Sequence, residues 1–144
     1  MRKVIRKTAM AFVLCFLVFY GLGGISQAVE YELTLTEVGD VSEGFASGLS
    51  IACAYGDAFM GGSQIGSWHT MIQSYYGPVE VDIWNGCLDV TGWGKFFYQG
   101  TGDPSGVANG VVTGGTGNFK GLKGTIEITE TAPDTYTVIL DIWY

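Results

Sequence analysis

Residues 113–124 read TGGTGNFKGLKG, and this glycine-rich stretch decides the fold. Glycines cluster where the backbone must adopt φ > 0 or pack closely against another segment, which residues with a Cβ resist. Residues 125–130 follow with apolar side chains at every second position, and a Pro133-Asp134 turn leads to a second alternating run that ends at Tyr144. The stretch is therefore predicted to be a glycine corner that leads into a terminal β-hairpin. The residues to which we assign a structural role in this corner are Gly114, Gly115, Gly117, Phe119, Gly121 and Gly124.

The first 28 residues have the pattern of a secretory signal peptide. Four basic residues lie near the start, an apolar run covers residues 9–20, and Ser26-Gln27-Ala28 precedes a change to acidic, alternating sequence. We predict cleavage after Ala28 and export, which would make the mature protein secreted or periplasmic. An uncleaved membrane anchor is the alternative, although the apolar run is shorter than the roughly 20 residues that span a bilayer.

Residues 29–144 are predicted to form one domain, because about 116 residues are enough for one hydrophobic core but not for two. The leader holds four of the seven Lys and Arg residues and none of the fourteen acids, so the mature chain carries three lysines and a net charge of −11. That charge disfavours binding to nucleic acid or to an anionic membrane surface. We expect no cofactor and no membrane contact after cleavage of the leader, and self-association is left open.

The mature sequence is rich in glycine, threonine, valine and aromatic residues, and it lacks helical patterning. Alternating runs start at Glu30 and at Phe45, and the run 65–76 favours a strand over a helix. Glycine- or proline-containing turns separate the runs, which predicts an all-β domain of about eight strands arranged as an antiparallel barrel or sandwich. The predicted turns include Gly39-Asp40, Gly56-Asp57, Gly61-Gly62 and Gly102-Asp103-Pro104. The predicted inward-facing residues are Tyr31, Leu33, Ile126, Ile128, Val138, Leu140 and Ile142.

Asn85-Gly86 is the preferred dipeptide of a two-residue type I′ hairpin turn. It lies between two alternating runs, and a hairpin there would pair Ile83 with Leu88 and Asp82 with Asp89. Ile83 and Leu88 would then share a core face, while the two aspartates would oppose each other on the other face. The aspartate pair is a candidate for a calcium-type site or a general-acid pair. The alternative, favoured by the apolar opposite face, is a solvated outer surface, and we predict no other metal site.

The mature chain retains two cysteines, Cys53 and Cys87. An even number of cysteines in an exported protein favours a disulfide, which we predict between these two residues. Free thiols are the alternative, but neither cysteine has lysine, arginine or a second histidine near it in the sequence to activate it.

His69 is the only histidine, and the chain has no Gly-x-Ser-x-Gly nucleophile elbow. A lone histidine beside Trp68 is more typical of a surface or cavity-lining residue than of a catalytic base. The aromatic residues are numerous for one domain, and a few of them are expected to line a pocket for a ring-shaped ligand. The candidate ligand-binding residues are Trp68, His69, Tyr75, Trp93 and Tyr98.

The corner sequence at residues 114–124 resembles that of the allene oxide cyclase and dirigent barrel superfamily, including its bacterial secreted relatives. The resemblance covers about the last third of the mature chain and rests on a Gly-Gly-Thr-Gly, aromatic, Gly pattern ahead of the last strands. It implies an eight-stranded barrel with an apolar cavity, in a superfamily whose plant members bind or cyclise hydrophobic small molecules. It transfers no catalytic residue, so the catalytic residues stay unknown.

Three functions are therefore open. The first is a binding protein that holds a small hydrophobic or aromatic ligand in the barrel, because a closed barrel can enclose a cavity and no nucleophile with its base is present. The second is a cyclase- or isomerase-like enzyme that works by holding a reactive substrate in one shape, which leaves little trace in a sequence. The third is a structural or surface-interaction module with a solid interior.

Overall fold

The computed structural model describes residues 28–45, 48–102 and 105–144. The predicted signal peptide, apart from residue 28, lies outside the described residues, as do the last two residues of the predicted turn at 102–104. The eight strands are β1 (Val29–Phe45), β2 (Leu49–Met60), β3 (Ser63–Tyr75), β4 (Val81–Val90), β5 (Gly94–Gly102), β6 (Val107–Gly115), β7 (Lys123–Ala132) and β8 (Thr135–Trp143). A short 3-10 helix, Gly117–Phe119, lies between β6 and β7. None of the helical segments among the described residues has the length and apolar character needed to cross a membrane.

The strands form one closed antiparallel barrel in the order of the sequence, with β1 hydrogen-bonded to β8. The prediction of an all-β domain of about eight strands is confirmed. Each strand follows its predecessor through a short connection, and closure leaves no unpaired sheet edge. Asp134 takes φ 58° in the predicted turn between β7 and β8, and Gly61 and Gly62 take φ 56° and 75° between β2 and β3.

Two predicted strand ends are wrong, because the chain continues through them as strand. β1 passes Gly39-Asp40 and absorbs the irregularity as a β-bulge, where the pairing with β2 shifts between Glu37 and Gly39. β2 likewise continues through Gly56-Asp57 to Met60. A bulge bends and twists a strand without ending it, and such bends are what close a sheet into a barrel.

The predicted hairpin at Asn85-Gly86 is also wrong, since both residues lie in the middle of the continuous strand β4. Neither residue takes the positive φ that a type I′ turn requires. Gly86 instead lies beneath the ring of Tyr98, where a Cβ on residue 86 would overlap the ring. A hydrogen bond of 2.6 Å joins the Tyr98 hydroxyl to Thr70 on the far side of β4. Thr70, Gly86 and Tyr98 face one another across three neighbouring strands, so the glycine is needed for packing and not for a turn.

The glycine corner closes one end of the barrel. Phe119 packs edge-on against Phe96 at 5.6 Å, and Leu122 is only 1% exposed. The corner is held to the neighbouring β4–β5 turn by a hydrogen bond of 2.9 Å from the Asn118 amide to the Trp93 carbonyl. Gly117 takes φ 58° at this contact, and a Cβ there would approach the same carbonyl too closely. The corner therefore acts as a plug whose glycines allow close backbone approach.

The core fills the barrel from the corner upwards. Every residue that the sequence predicted to face inward is buried or packs against the buried cluster. The predicted members are Tyr31, Leu33, Ile126, Ile128, Val138, Leu140 and Ile142. The core face predicted for β4 is wrong, because it placed Ile83 beside Leu88. In the structure Trp84, Leu88 and Val90 are buried, whereas Val81 and Ile83 are exposed.

We predict that Gly86→Ala destabilises the protein by about 1–3 kcal/mol, because the added methyl group overpacks a buried ring. Tyr98 is 2% exposed, so its ring is enclosed by other side chains. Urea unfolding monitored by tryptophan fluorescence would measure the change. Gly44→Ala is the matched control, since Gly44 is an exposed strand residue where an added Cβ would have no atom within 4 Å. Equal stability of the two variants would contradict the packing role of Gly86.

The buried Tyr98 hydroxyl also predicts a loss of stability at alkaline pH. Burial raises the pKa of this phenol well above its ordinary value of 10.0, so the folded protein keeps the proton while the unfolded chain releases it. The stabilisation is complete below pH 10 and is lost as the pH rises further. We expect Tyr98→Phe to be less stable at neutral pH, because it loses the bond to Thr70. Between pH 9 and pH 11, the free energy of unfolding of Tyr98→Phe should fall by about 1.4 kcal/mol less than that of the wild type. Urea unfolding at several pH values in this range measures the two declines. Equal declines in Tyr98→Phe and the wild type would contradict the role of the buried Tyr98 hydroxyl.

Candidate functional site

The barrel encloses a cavity of about 280 Å³ at the end opposite the glycine corner. All eight strands contribute to its lining, at the end where β3 leads into β4, β5 into β6 and β7 into β8, together with the connection before β6. The exposed residues Gly106 and Glu130 belong to the lining, so the cavity reaches solvent at this end. The apolar part of the lining consists of Leu35, Ala54, Ile72, Val107, Ala108 and Ile128.

Aromatic rings form two walls of the cavity. Trp84 on β4 lies over Gly100 on β5, where a Cβ would overlap the indole, and its ring contacts Tyr98 at 5.5 Å. Trp68 on β3 meets Tyr136 on β8 edge-on at 5.9 Å. Flat side chains therefore face the interior from two sides, an arrangement typical of sites for ring-shaped molecules.

Three polar side chains of the lining are already hydrogen-bonded within the protein. The Trp68 indole donates to the Thr36 carbonyl at 3.2 Å, and the Thr70 hydroxyl is hydrogen-bonded to the Tyr98 hydroxyl. Tyr136 donates its hydroxyl to the Glu37 carboxylate at 2.9 Å. Burial, followed by the bond to Glu37 and the nearby acidic charges, raises the pKa of Tyr136, so its phenol stays protonated as a donor.

Two polar groups of the lining differ from these three. The Asp82 Oδ1 and the Trp84 Nε1 are buried, and neither has a hydrogen-bond partner within the described part of the chain. Buried polar groups are almost always hydrogen-bonded in native proteins, so both atoms call for an explanation. They are two residues apart on the inward face of β4, and Trp84 is 3% exposed. Both residues line the cavity, and each has one buried polar atom whose hydrogen bond is not supplied by the described residues.

The predicted ligand-binding residues are divided between the inside and the outside of the barrel. Trp68 lines the cavity, and Tyr98 lies next to it, in contact with Trp84 and Thr70. His69 and Tyr75 lie on the exposed outer face of β3, so they do not line this cavity. Trp93 packs against the core at the corner end, away from the cavity. A ligand-binding role for any of the five stays a prediction.

The predicted opposition of Asp82 and Asp89 is wrong, because the two residues lie on one strand and face opposite sides of the barrel. Asp89 is on the outer face and forms a salt bridge of 2.9 Å with Lys95, both side chains being nearly half exposed. Asp82 faces the cavity. No group of three or more potential metal-ligating side chains comes together among the described residues.

The predicted disulfide between Cys53 and Cys87 is not formed, and both residues are free thiols. Cys53 lies on β2 and Cys87 on β4, so the whole of β3 separates them. Two strand spacings amount to about 10 Å, whereas a disulfide requires Cα atoms within about 7 Å. Burial raises the pKa of the Cys87 thiol, which disfavours a reactive thiolate there.

Four lining residues were not predicted from the sequence to line a cavity, namely Asp82, Trp84, Glu130 and Tyr136. A signal for the first two exists in the sequence. If residues 81–90 are treated as one strand, strict alternation places Asp82, Trp84 and Leu88 on the same face. No local pattern indicates Tyr136 or Glu130, which reach the site only when β8 pairs with β1 and closes the barrel.

No protein-family model and no curated protein sequence matches the chain. Solved structures do match. A pyocyanin demethylase superposes with a TM-score of 0.68 at 16% identity, covering 79% of this chain and 99% of that protein. The pterocarpan synthase dirigent protein GePTS1 superposes with a TM-score of 0.70 at 10% identity, covering 85% and 92%. The exo-specific intermolecular Diels-Alderase AbnU gives a TM-score of 0.70 at 15% identity, covering 84% and 100%. At such low identities the likeness is one of fold, and it shows that this chain shares its closed eight-stranded barrel with these proteins.

Proposed function

We propose that this protein binds a small hydrophobic or aromatic molecule inside its barrel. The observation that supports the proposal is the cavity of about 280 Å³ with two aromatic walls. A structural module with a solid interior would not have such a space. A cavity open at one end and closed by packed side chains at the other lets a ligand enter from one side only.

The volume bounds the size of the ligand. An apolar cavity of about 150 Å³ in a protein core is enough to hold benzene. The cavity here is nearly twice as large, which suits one substituted ring or two fused rings. Larger polycyclic ligands would require the barrel end to widen.

A reaction catalysed by confinement is the second candidate. Two of the proteins with this barrel are named as enzymes, a demethylase and a Diels-Alderase. The observation in this chain that favours it is Asp82, a carboxylate residue in the lining of a largely apolar cavity, where proton transfer or charge stabilisation is effective. Identification by mass spectrometry of the molecule that copurifies from the native host, before and after incubation with the protein, separates binding from conversion.

We also propose that the protein is exported and acts outside the cytoplasm. The sequence of residues 1–28 supports this proposal. Intact-mass measurement of the protein from the culture medium or periplasm should give a chain that begins at Val29. A full-length chain in the membrane fraction would contradict it and favour the anchor.

We predict that naphthalene, a neutral two-ring probe, stabilises the protein. At a hundred times its dissociation constant it should add about 2.7 kcal/mol to the free energy of unfolding, because it binds only the folded state. Thermal-shift measurement and isothermal titration calorimetry check this.

Ala54→Leu should abolish the naphthalene effect, since Ala54 lines the cavity and a larger side chain would occupy it. Cys53→Leu is the matched control, because it adds bulk at the neighbouring, exposed position on the outer face of β2. A folded wild-type protein that gives neither heat nor a shift with naphthalene or with its hydroxyl and aminomethyl derivatives would contradict the proposed function. Equal loss of binding in both variants would contradict the location of the site.

A further inference from the structure

The unused polar groups on β4 specify more than a hydrophobic ligand. Asp82 and Trp84 are adjacent on the inward face of the strand, and their Cα atoms lie about 7 Å apart along it. The Asp82 oxygen can only accept a hydrogen bond when ionised, and the Trp84 Nε1 can only donate one. A molecule of one or two rings is long enough to span both.

The other polar side chains near the aromatic walls are already hydrogen-bonded within the protein or exposed to solvent. Trp68, Thr70 and Tyr136 each use a hydrogen bond on a partner within the protein. Glu130 is exposed and lies where the cavity reaches solvent. Asp82 Oδ1 and Trp84 Nε1 are therefore the buried side-chain atoms of the described lining that have no hydrogen-bond partner at all, and both come from the same strand.

The charge of the cavity is one-sided. Asp82 and Glu130 belong to the lining, and Glu37 lies just behind Tyr136. None of the lining residues that the structure describes is a lysine, an arginine or a histidine. A ligand carboxylate would face these acids with no cation to offset the repulsion, whereas an ammonium group would gain a charge-assisted hydrogen bond and the faces of nearby indoles.

We propose that Asp82 and Trp84 form a two-point anchor that selects aromatic ligands carrying a protonated amine or hydroxyl donor together with an acceptor, and that excludes anionic ones. This inference rests on the proposed function, since it concerns the same cavity. The donor of the ligand binds the Asp82 carboxylate, and its acceptor receives the Trp84 N–H. The aromatic body lies between the walls formed by Trp68 and Trp84.

Calorimetry with a matched series of naphthalenes tests the anchor. The series consists of naphthalene, naphthol, naphthylmethylamine and naphthoate, which share one ring system and differ in the polar group. We expect naphthylmethylamine to bind about ten- to a hundredfold more tightly than naphthalene, as a hydrogen bond to a charged partner implies. Naphthol should lie between them, and naphthoate should bind most weakly.

Substitutions assign the preference to particular atoms. Asp82→Asn should bring the affinity for naphthylmethylamine close to that for naphthalene while leaving naphthalene itself unaffected. Trp84→Phe should reduce the advantage of naphthol and leave most of the advantage of the amine. Asp89→Asn is the matched control, because it removes an equal charge from the outer face of the same strand. It should leave the ranking unchanged.

The stability of the ligand-free protein provides a second measurement. A carboxylate kept for binding and not for folding should be replaceable without loss. Asp82→Asn should therefore unfold at the same or a higher urea concentration than the wild type.

The outcomes separate the two proposals. Binding of naphthalene without preference for the amine, or tight binding of naphthoate, overturns the anchor and leaves the proposed function standing. An amine preference that survives in Asp82→Asn also overturns the anchor. No binding of any member of the series overturns both.

Discussion

The ring of Tyr98 on β5 lies across Gly86 on β4, and its hydroxyl is hydrogen-bonded to Thr70 on β3. This contact holds three neighbouring strands in one register inside the barrel. The ring can occupy this place only because residue 86 has no side chain. Once the ring lies there, β4 must continue as a strand beneath it. The alternation of inward- and outward-facing side chains along β4 is then fixed. Asp82 and Trp84 then face inward and Asp89 outward. The chemistry of the cavity thus depends on one contact between an aromatic ring and a glycine.

A second contact between an aromatic ring and a glycine lies nearby, where the indole of Trp84 on β4 covers Gly100 on β5. In both places a large ring lies over a neighbouring strand instead of projecting to the barrel axis. Rings arranged in this way form the wall and leave space in the middle. At the corner end, by contrast, Phe119 and Leu122 project into the interior and fill it. The barrel is therefore filled at the corner end, where Phe119 and Leu122 are buried, and contains the cavity at the other end.

The sequence allowed the fold class to be predicted well, because alternation of apolar residues and the glycine corner are local patterns. The inward residues of β1, β7 and β8 follow from that alternation alone. The error at Asn85-Gly86 arose because the local preference of this dipeptide for a turn is real but loses to a tertiary contact with Tyr98, which is a dozen residues away. A hairpin would place Ile83 and Leu88 on one face, whereas a strand places them on opposite faces. One misassigned turn was therefore enough to hide Asp82 from the candidate site. Closure between β1 and β8, which brings Tyr136 to Glu37, depends on the whole barrel and has no local signal.

Asp82 Oδ1 and Trp84 Nε1, the two buried atoms on β4 without hydrogen-bond partners, carry a cost in stability. A buried donor or acceptor without a partner costs about 1–3 kcal/mol, which is a large part of the roughly 5–15 kcal/mol that stabilises a typical domain. A sequence optimised only for stability would place apolar residues at positions 82 and 84, as it does at Leu88 and Val90 further along the same face. Moreover, the lining side chains Trp68, Thr70 and Tyr136 are hydrogen-bonded within the protein, so the fold is able to satisfy such groups. An acceptor and a donor left unpaired together, on one face of one strand and inside a cavity, are what a site needs if its hydrogen bonds are to be completed by a ligand. The cost to the free protein is then offset each time the ligand binds.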